Sequence, residues 1–394
     1  PLRHGSDFPI KKRAAVMINK IRIRNFKSIV DLTLDLGRVN VIIGANGCGK
    51  TNILEAITFA SMAGQDKLGN EYLFNRGVRI TAPQYMMNAF DDANNNVPIQ
   101  IDVEGDNKAA STNACILYNE SKKEWFNIGN IVNRDKIQAF LSALTQDGYK
   151  ISDIARIEND NPDLFQSLQD LLIEKPSLAS FLIYRPIENV LREANTQSPI
   201  QPLGIRGEGL LQYLKQVSQN IEYKSLIENI NEGLFMLDWF DGFNIPDDLL
   251  SNEYKLSIGD RYLNESLHYF DQRSTNEGFL YLLFYLTLFN SKETPSFFAV
   301  DNIETSFNPK LCIKLSEYLI SAAQKNNKQV ILTTHNPYIL DGLDLSDDEV
   351  RLFVARRDLD GHTRVTRIPY KRERVNKLSD VWMKGYIGGL PDNF

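Results

Sequence analysis

The stretch "VNVIIGANGCGKTNILEAI", Val39–Ile57, changes character twice along its length. It opens with a continuous apolar run, which predicts a fully buried strand. The glycines that follow predict a tight loop, and the apolar residues after them recur at helical spacing. Lys50 and Thr51 lie where the loop meets the helix. A buried strand that runs through a loop into a helix predicts an α/β fold.

The glycine-rich loop fits the pattern G-x-x-x-x-G-K-[ST] without a mismatch, and it lies between a strand and a helix as the pattern requires. Glycines let backbone N–H groups turn inward around anionic oxygens, and the helix N-terminus adds its dipole. We expect Lys50 to supply charge to the β- and γ-phosphates and Thr51 to supply a hydroxyl ligand to Mg²⁺. The alternative is a turn that binds nothing. The residues predicted to bind the nucleotide are Gly44, Ala45, Asn46, Gly47, Cys48, Gly49, Lys50, Thr51 and Asn52.

A phosphate-binding loop of this type needs a carboxylate at the end of a neighbouring strand to help hold the metal ion. Asp301 meets this need, because it directly follows the apolar run "FFAV". Asp238 and Asp241 are the nearest competitors, but they flank an aromatic pair on a helical pattern, and a helix does not deliver a carboxylate to the strand ends. The simpler interpretation of Asp301 is a turn residue after a strand. We predict that Thr51 and Asp301 are the metal ligands.

The composition is that of an ordinary globular protein, with 43% hydrophobic and 24% charged residues in a chain of 394. The net charge of −6 provides no overall positive field that would attract nucleic acid. Three widely spaced cysteines, Cys48, Cys115 and Cys312, favour reduced thiols in a cytoplasmic protein. No apolar run in the sequence is long enough to span a membrane. Residues 1–16 lack the apolar core of a signal peptide, and we expect them to be an appended tag or a disordered arm.

Hydrophobic periodicity predicts the order of elements around the loop. Period-two patterns between Ile18 and Leu36 predict two half-buried, paired strands. The last third of the chain alternates apolar strands with helices and ends in two strand-like runs that flank Asp360-Gly361, a predicted hairpin. This order favours a mixed, mainly parallel sheet that is covered on both faces.

The middle of the chain, residues 63–273, is less uniform. Two runs, Pro98–Gly105 and Ala114–Ile128, predict strands in a meander. Two others, Pro162–Tyr184 and Gly209–Phe240, predict helices with a turn-rich segment between them. We therefore expect an α+β insertion at this place.

Three segments together resemble RecF/SMC-like ATPases, the ABC-type heads that act in DNA repair, chromosome organisation and phage defence. "INKIRIRNFKSI" with the glycine-rich loop looks like the opening of these heads. "STNEGFLYLLFYLTLF" resembles their signature segment, and "VILTTHNPYIL" resembles the segment that carries their switch histidine, here His335. The order of loop, signature, acidic strand and histidine is also the family's order. The groups that we suggest are the stand-alone ATPases AAA_15 and AAA_21, which include overcoming-lysogenisation-defect-like and related phage-defence ATPases.

The resemblance implies a P-loop NTPase fold with an ABC-type ATPase head. Residues 17–62 and 274–394 would form this head, and residues 63–273 would be inserted between its two halves, where they are well placed to carry partner contacts. The insertion is too short and too broken by turns for a long coiled coil, which needs sustained heptads.

The resemblance further implies that ATP with Mg²⁺ lies between two heads, so that the protein forms a homodimer or a higher oligomer. The residues that would contact the nucleotide of the second subunit, the trans signature, are Asn276, Glu277 and Gly278. Asn276 stands where relatives carry a serine. Its amide can still donate a hydrogen bond.

The largest departure from the family's pattern is Asn302, which follows the metal-binding aspartate where relatives usually carry a glutamate. An amide cannot accept a proton as a carboxylate does. Either Glu304 takes over this catalytic role, which requires an extended backbone that places positions two apart on one face, or hydrolysis is slow and ATP mainly holds a closed state. The resemblance places His335 near the γ-phosphate. The alternative for His335 is a hydrogen bond within the turn after its strand.

Three functions compete. The first is an ATPase sensor or clamp of a bacterial anti-phage defence or DNA-maintenance system that acts with a separate effector, because too little chain follows His335 for the Toprim nuclease domain of some relatives. The second is a stand-alone RecF-like DNA-repair ATPase that binds DNA directly. The third is the nucleotide-binding subunit of a transporter, against which the RecF-like start, the long insertion and the degenerate signature count. Basic clusters at Lys11–Arg13, around Arg24 and from Tyr370 fit a solvated surface or a nucleic-acid track equally.

Overall fold

The computed structural model describes residues 16–90, 97–107, 111–128, 177–193, 198–246, 249–250, 253–264, 266–267, 269–372 and 376–390. The strands are β1 (Ile18–Phe26), β2 (Ile29–Asp35), β3 (Val39–Ile43), β4 (Ile99–Gly105), β5 (Thr112–Asn119), β6 (Glu124–Asn127), β7 (Ile183–Tyr184), β8 (Phe240–Asn244), β9 (Ser257–Asp260), β10 (Phe297–Val300), β11 (Gln329–Thr334), β12 (Val350–Arg357) and β13 (Thr363–Ile368). The helices are α1 (Lys50–Ala63), α2 (Asn70–Asn75), α3 (Pro83–Met86), α4 (Glu188–Arg192), α5 (Leu210–Ser218), α6 (Lys224–Leu234), α7 (Glu277–Asn290), α8 (Pro309–Lys325) and α9 (Leu378–Met383). Short 3₁₀ helices lie at Ser177–Ser180, Ile221–Tyr223 and Pro337–Gly342.

Strand β3, which leads into the glycine-rich loop, lies within a six-stranded sheet with the order β13-β12-β3-β11-β10-β7. Every residue of β3 is buried, as its continuous apolar run predicts. It pairs in parallel with β11 and β12, and β10 pairs in parallel with β11 and β7, whereas β13 is antiparallel to β12. The predicted mixed, mainly parallel sheet is confirmed. Because parallel strands share one direction, the carboxyl ends of β3, β7, β10 and β11 meet at one edge.

A second, antiparallel sheet has the order β2-β1-β4-β5-β6. β1 and β2 form the predicted pair, with Ile21 opposite Leu34 and Ile23 opposite Leu32. β4, β5 and β6 form the predicted meander and join the pair through β1. Residues 63–273 thus supply strands to both sheets, because β7 pairs with β10 in the central sheet.

Helix α1 lies between the two sheets, and this position explains its composition. Of its 14 residues, 12 are buried. Phe59 packs against Phe26 of β1, with ring centroids 5.4 Å apart, and the same core includes Ile331 of β11. The helix is therefore apolar on two sides, because each side meets a sheet.

The opposite face of the central sheet is covered by helices α5 to α8. All of α7 except its first residue is buried, which fits a helix that is apolar all round. Phe284 of α7, Leu315 of α8 and Leu332 of β11 belong to one hydrophobic core. The prediction that both faces of the sheet are covered is confirmed.

Two helix predictions for the middle of the chain need correction. Gly209–Phe240 contains α5, a 3₁₀ turn and α6, and its last residue begins β8. The break occurs where the Asn220 side chain accepts a hydrogen bond from the N–H of Glu222 and starts a new turn. Of Pro162–Tyr184, residues 162–176 lie outside the described residues, and the remainder forms a 3₁₀ turn and β7. The apolar end of this run is a sheet strand because it pairs with β10.

Candidate nucleotide-binding site

The glycine-rich loop packs against the β12–β13 hairpin too closely for side chains at two of its glycines. Gly44 and Gly49 have φ angles of 147° and 103°. A Cβ atom would lie 2.2 Å from the Ala355 carbonyl oxygen at Gly44 and 2.0 Å from the Thr363 hydroxyl at Gly49. The hairpin therefore holds the backbone of the loop in place, and glycine is required at both positions.

The tip of the loop is open to solvent, with Asn46 and Gly47 exposed and Cys48 buried. Ala45, Asn46 and Cys48 line a cavity of about 850 Å³ together with residues of the β12–β13 hairpin. Arg357 Nε of that hairpin donates a 3.0 Å hydrogen bond to the Gly47 carbonyl. The cavity gives a ligand direct access to the loop.

Lys50 lies inside the loop and is only 6% exposed. Its ammonium donates to the carbonyl oxygens of Gly44 and Ala45 at 2.7 and 3.1 Å. Burial lowers the pKa of Lys50, although the nearby Asp301 and Glu304 carboxylates act in the opposite direction. The two carbonyls hold the ammonium where phosphate oxygens would replace them. The loop therefore fits the triphosphate of a nucleotide.

Thr51 and Asp301 lie side by side although 250 positions separate them along the chain. The Thr51 hydroxyl donates a 3.1 Å hydrogen bond to Oδ2 of Asp301. Asp301 directly follows β10, and its Oδ1 accepts a 2.5 Å hydrogen bond from Thr333 at the end of β11. A hydroxyl and a carboxylate are hard oxygen donors of the kind that Mg²⁺ prefers. The two residues fit a magnesium site, and they would hold the ion.

Arg185 is a site residue that the sequence did not reveal. It directly follows β7, and its Nε donates a 2.8 Å hydrogen bond to Oδ2 of Asp301. Its Nη1 donates to the Gly77 carbonyl at 3.1 Å. A signal was present, because the run "FLIYR" has the same form as the run that ends in Asp301. The helix predicted over this run concealed it.

The chain turns sharply after Asp301, so it lacks the extended backbone on which one of the two hypotheses for this segment depended. Asn302 has a φ angle of 59° and is exposed to solvent. Glu304 nevertheless reaches the site, because its Oε1 accepts a 2.9 Å hydrogen bond from the backbone N–H of His335. Glu304 Oε2 is buried and has no hydrogen-bond partner among the described residues. A turn, rather than a strand, brings this carboxylate to the histidine.

His335 directly follows β11 and remains accessible to solvent. Desolvation lowers the pKa of His335 below its ordinary value of 6.5, and the charge of Lys50 lowers the pKa further. The carboxylates of Glu304 and Asp301 act in the opposite direction without reversing the shift. The lowered pKa favours the neutral imidazole, which lies close to the ammonium that the phosphates would contact.

The side chain of Asn52 forms hydrogen bonds with two other residues of the protein. Its Nδ2 donates 2.7 Å to the Ser28 hydroxyl, and its Oδ1 accepts 2.9 Å from Arg79. One turn further along α1, Glu55 is fully buried between Lys27 and Arg79, with ion-pair distances of 2.6 and 2.7 Å. This network ties α1 to the turn between β1 and β2. The sequence does not reveal this network, because its partners come from three separate segments.

The three residues of the signature segment lie at the N-terminus of α7. Asn276 caps the helix, because its Oδ1 accepts a 2.9 Å hydrogen bond from the N–H of Phe279. Asn276 and Glu277 are exposed, whereas Gly278 is buried. The three line a cavity of about 420 Å³ whose other walls come from residues 236–239 and 306–314. The signature segment and the glycine-rich loop therefore line separate cavities.

Comparison with known proteins shows what the chain is similar to. The family model AAA_23, described as an AAA domain, matches residues 20–260. The chain is 40% identical over 57 residues to the DNA replication and repair protein RecF of Bacillus cytotoxicus, which covers 14% of this chain and 15% of that protein. It is 44% identical over 41 residues to the OLD nuclease of Thermus scotoductus, which covers 10% of this chain and 8% of that protein. The chain thus aligns with less than a sixth of the length of either relative.

The whole fold is similar to that of an SMC head. A structure of the SmcHead bound to the C-winged helix domain of ScpA aligns with a TM-score of 0.53 at 12% identity, covering 90% of this chain and 98% of that chain. At this identity the likeness concerns the fold. The predicted ABC-type α/β fold and the resemblance to RecF/SMC-like ATPases are confirmed. Within the described part of the chain, the helices are too short or too polar to cross a membrane.

Proposed function

Because this chain belongs to the AAA_23 family of AAA domains, we propose that it is an ATPase that binds Mg·ATP between the glycine-rich loop and Asp301. The observation that carries this proposal is the 3.1 Å contact between the Thr51 hydroxyl and the Asp301 carboxylate, next to the buried ammonium of Lys50. The Lys50 ammonium, the Thr51 hydroxyl and the Asp301 carboxylate are then in the arrangement that a nucleoside triphosphate with its metal ion requires.

Each residue has a separate task in binding. Backbone N–H groups of the loop and of the first turn of α1 surround the phosphate oxygens. Lys50 exchanges its two carbonyl partners for phosphate oxygens, and Thr51 with Asp301 orients the metal ion. When it is bound, Mg²⁺ would neutralise part of the negative charge of the phosphates.

For hydrolysis, we propose that Glu304 is the general base and that His335 orients the attacking water. Glu304 Oε2 is buried without a partner among the described residues, so it can accept the proton of a water molecule. The lowered pKa of His335 favours the neutral imidazole, which can donate one hydrogen bond and accept another. Asn302 offers an amide, which orients water without taking its proton. Slow turnover is the consequence that we expect from this substitution.

We further propose that two copies of the chain close around ATP. The helix cap uses Oδ1 of Asn276 and leaves the exposed amide nitrogen to donate a hydrogen bond to the γ-phosphate that the second copy holds. Lys310 and Lys314 line the same cavity as Asn276, together with the carboxylates of Asp238 and Glu277. ATP stabilises the closed form by linkage, because only that form contacts the nucleotide from both sides.

The biological role that we propose is a cytoplasmic sensor or clamp of an anti-phage defence or DNA-maintenance system, with a separate effector protein. Similarity to a RecF protein and to an OLD nuclease supports this class of role. The second candidate is a RecF-like ATPase that binds DNA directly, which the 40% identity to RecF favours. DNA binding by the purified protein that weakens with rising salt would support the second candidate over the first.

Calorimetric titration of Mg·ATP into the purified protein tests nucleotide binding. We expect heat from wild-type protein, none from Lys50→Ala, and an unchanged signal from Lys122→Ala, which removes an exposed lysine far from the loop in sequence. The mass in solution should double with ATP for wild type and stay monomeric for Lys50→Ala. Absence of heat from folded wild-type protein would refute ATP binding, and ATP-dependent assembly of Lys50→Ala would refute the closure.

A further inference from the structure

Arg185 forms an ion pair with the carboxylate that we propose as a metal ligand. Its Nε lies 2.8 Å from Oδ2 of Asp301, the same oxygen that accepts the Thr51 hydroxyl at 3.1 Å. The side chains are 31% exposed for Arg185 and 7% exposed for Asp301. A cation coordinated by Thr51 and this oxygen would compete with the guanidinium for the same lone pairs.

Backbone pairing places Arg185 at this position. The N–H of Asp301 donates a 3.0 Å hydrogen bond to the Tyr184 carbonyl, so the residues that follow β7 and β10 lie side by side. The Gly77 carbonyl accepts from Nη1 at 3.1 Å. Arg185 Nη2 is buried and finds no acceptor among the described residues. The guanidinium is thus oriented but incompletely satisfied, and an unmade buried hydrogen bond favours movement to a better partner.

The cavity beside the ion pair contains further positive charge. It has a volume of about 550 Å³, and Arg79, Arg185 and Arg206 line it together with Asp301. Arg79 is already paired with the buried carboxylate of Glu55 at 2.7 Å. An Arg185 side chain that left Asp301 would therefore enter a space lined by two other guanidinium groups. An added anion would make that move more favourable.

We propose that Arg185 is a positioning residue that occupies the metal's place at Asp301 until a nucleotide arrives. The inference rests on the proposed function, because Asp301 is the metal ligand of that site. A divalent cation without nucleotide would have to push Arg185 towards other cations. The triphosphate supplies negative charge that can receive the displaced guanidinium. Arg185 thereby makes metal binding depend on the nucleotide.

The test measures metal binding in the absence of nucleotide, so its result does not require ATP binding or hydrolysis. Mn²⁺ is the probe, because electron paramagnetic resonance distinguishes free from bound Mn²⁺. In Arg185→Gln we expect the Mn²⁺ dissociation constant to fall about fivefold or more, because the competing cation is removed. Arg206→Gln is the matched control, since it removes a cation from the same cavity without removing a hydrogen bond to Asp301.

A further variant locates the effect. In Arg185→Gln combined with Asp301→Asn, the tighter Mn²⁺ binding should disappear, because the oxygen that gained the metal is no longer a carboxylate. An unchanged Mn²⁺ dissociation constant in folded Arg185→Gln overturns the proposal. A gain that persists in the double variant also overturns it.

Should Arg185→Gln fail to fold, Arg185→Lys replaces it. A lysine ammonium cannot hold Asp301 and the Gly77 carbonyl with the planar fork of arginine, so Mn²⁺ binding should still tighten about threefold. No tightening in Arg185→Lys overturns the proposal. A folded wild type that gives no heat with Mg·ATP would contradict the proposed function instead, and the Mn²⁺ comparison would still decide the role of Arg185 at Asp301.

Discussion

The hydroxyl of Thr363 donates a 3.0 Å hydrogen bond to the carbonyl of Cys48, which lies 315 positions earlier in the chain. The same hydroxyl is 2.7 Å from that of Ser28, to which Asn52 Nδ2 donates at 2.7 Å. Thr363 and Ser28 are each only 1% exposed. Buried hydrogen bonds thus join the glycine-rich loop to the first and the last hairpin, and the shape of the loop depends on both.

Replacement of Thr363 by valine should destabilise the protein and weaken ATP binding. Valine has nearly the same shape but leaves the Cys48 carbonyl and the Ser28 hydroxyl without this partner, which costs about 1–3 kcal/mol. Urea denaturation measures the loss of stability and calorimetry measures the affinity. Thr366→Val, an exposed threonine on the same strand, is the control and should change neither. Equal stability of Thr363→Val and wild type would show that the hydrogen bonds of the Thr363 hydroxyl do not stabilise the fold.

The buried ion pairs of Glu55 predict a loss of stability in acid. Burial alone would raise the pKa of Glu55, but the hydrogen bond from Arg79 and the charge of Lys27 outweigh it, so the pKa lies below its ordinary 4.5. A carboxyl whose pKa is lower in the folded state contributes stability above its unfolded pKa and loses it as the pH falls through the folded pKa. The stability of wild type should therefore decline below about pH 4.5.

Glu55→Gln should reduce this acid dependence and also lower the stability at pH 7, because it leaves the positive charge of Lys27 uncompensated. Breaking a buried ion pair in this way lowers the free energy of unfolding by about 3–5 kcal/mol. Denaturation curves at pH 7 and at acid pH measure both effects. Glu124→Gln, at an exposed pair with Lys122, should change neither. The same acid slope in Glu55→Gln as in wild type would assign the slope to other carboxyls.

Glu304→Gln should lower ATP turnover about 100-fold, since a positioned general base contributes a factor of this order. Nucleotide affinity should stay within about twofold, because Glu304 contacts the His335 backbone rather than the phosphate loop. Asn302→Glu is the companion variant. If Glu304 is the base, this second carboxylate should leave turnover nearly unchanged, whereas a marked rise would mean that the wild-type site lacks an effective base. Wild-type rates in Glu304→Gln would remove that residue from the mechanism.

The lowered pKa of His335 leads us to expect that ATP binding is coupled to proton uptake. The pKa of the free histidine lies below 6.5, because of desolvation and the charge of Lys50. A triphosphate beside it favours the protonated ring and raises this pKa, so binding takes up protons and tightens as the pH falls towards 6. Titrations in buffers of different ionisation enthalpy measure the uptake. His335→Asn should abolish that part of the buffer dependence, and an unchanged dependence would place the titrating group elsewhere.

Asn276→Asp should prevent ATP-driven assembly while each subunit still binds ATP. Aspartate caps a helix as well as asparagine does, so the fold is retained, but its charge repels the triphosphate of the second copy. Asn220→Asp, a cap at an exposed 3₁₀ turn, is the matched control and should assemble normally. Mass measurements in solution with and without ATP distinguish the variants. Normal assembly of Asn276→Asp would exclude α7 from the interface.

Local patterns predicted most of the residues of the candidate site. The apolar runs of β3, β10 and β11 and the turn residues after them placed Lys50, Thr51, Asp301 and His335 at the ends of adjacent strands. This was possible because a buried parallel strand has a continuous apolar run in its sequence. Parallel strands also bring their carboxyl ends to one edge of the sheet. The apolar run before Arg185 has the same form, but a helix was predicted over it, so Arg185 was missed.

The sequence by itself determined the loop, its strand and its helix, because these depend on neighbouring residues and on backbone preferences. Only the tertiary structure decided which side chains surround them. The ion pair between Arg185 and Asp301 and the contact of Glu304 with His335 join segments 116 and 31 positions apart. No local preference encodes such pairings, since they arise when strand order and chain turns bring distant residues within hydrogen-bond distance.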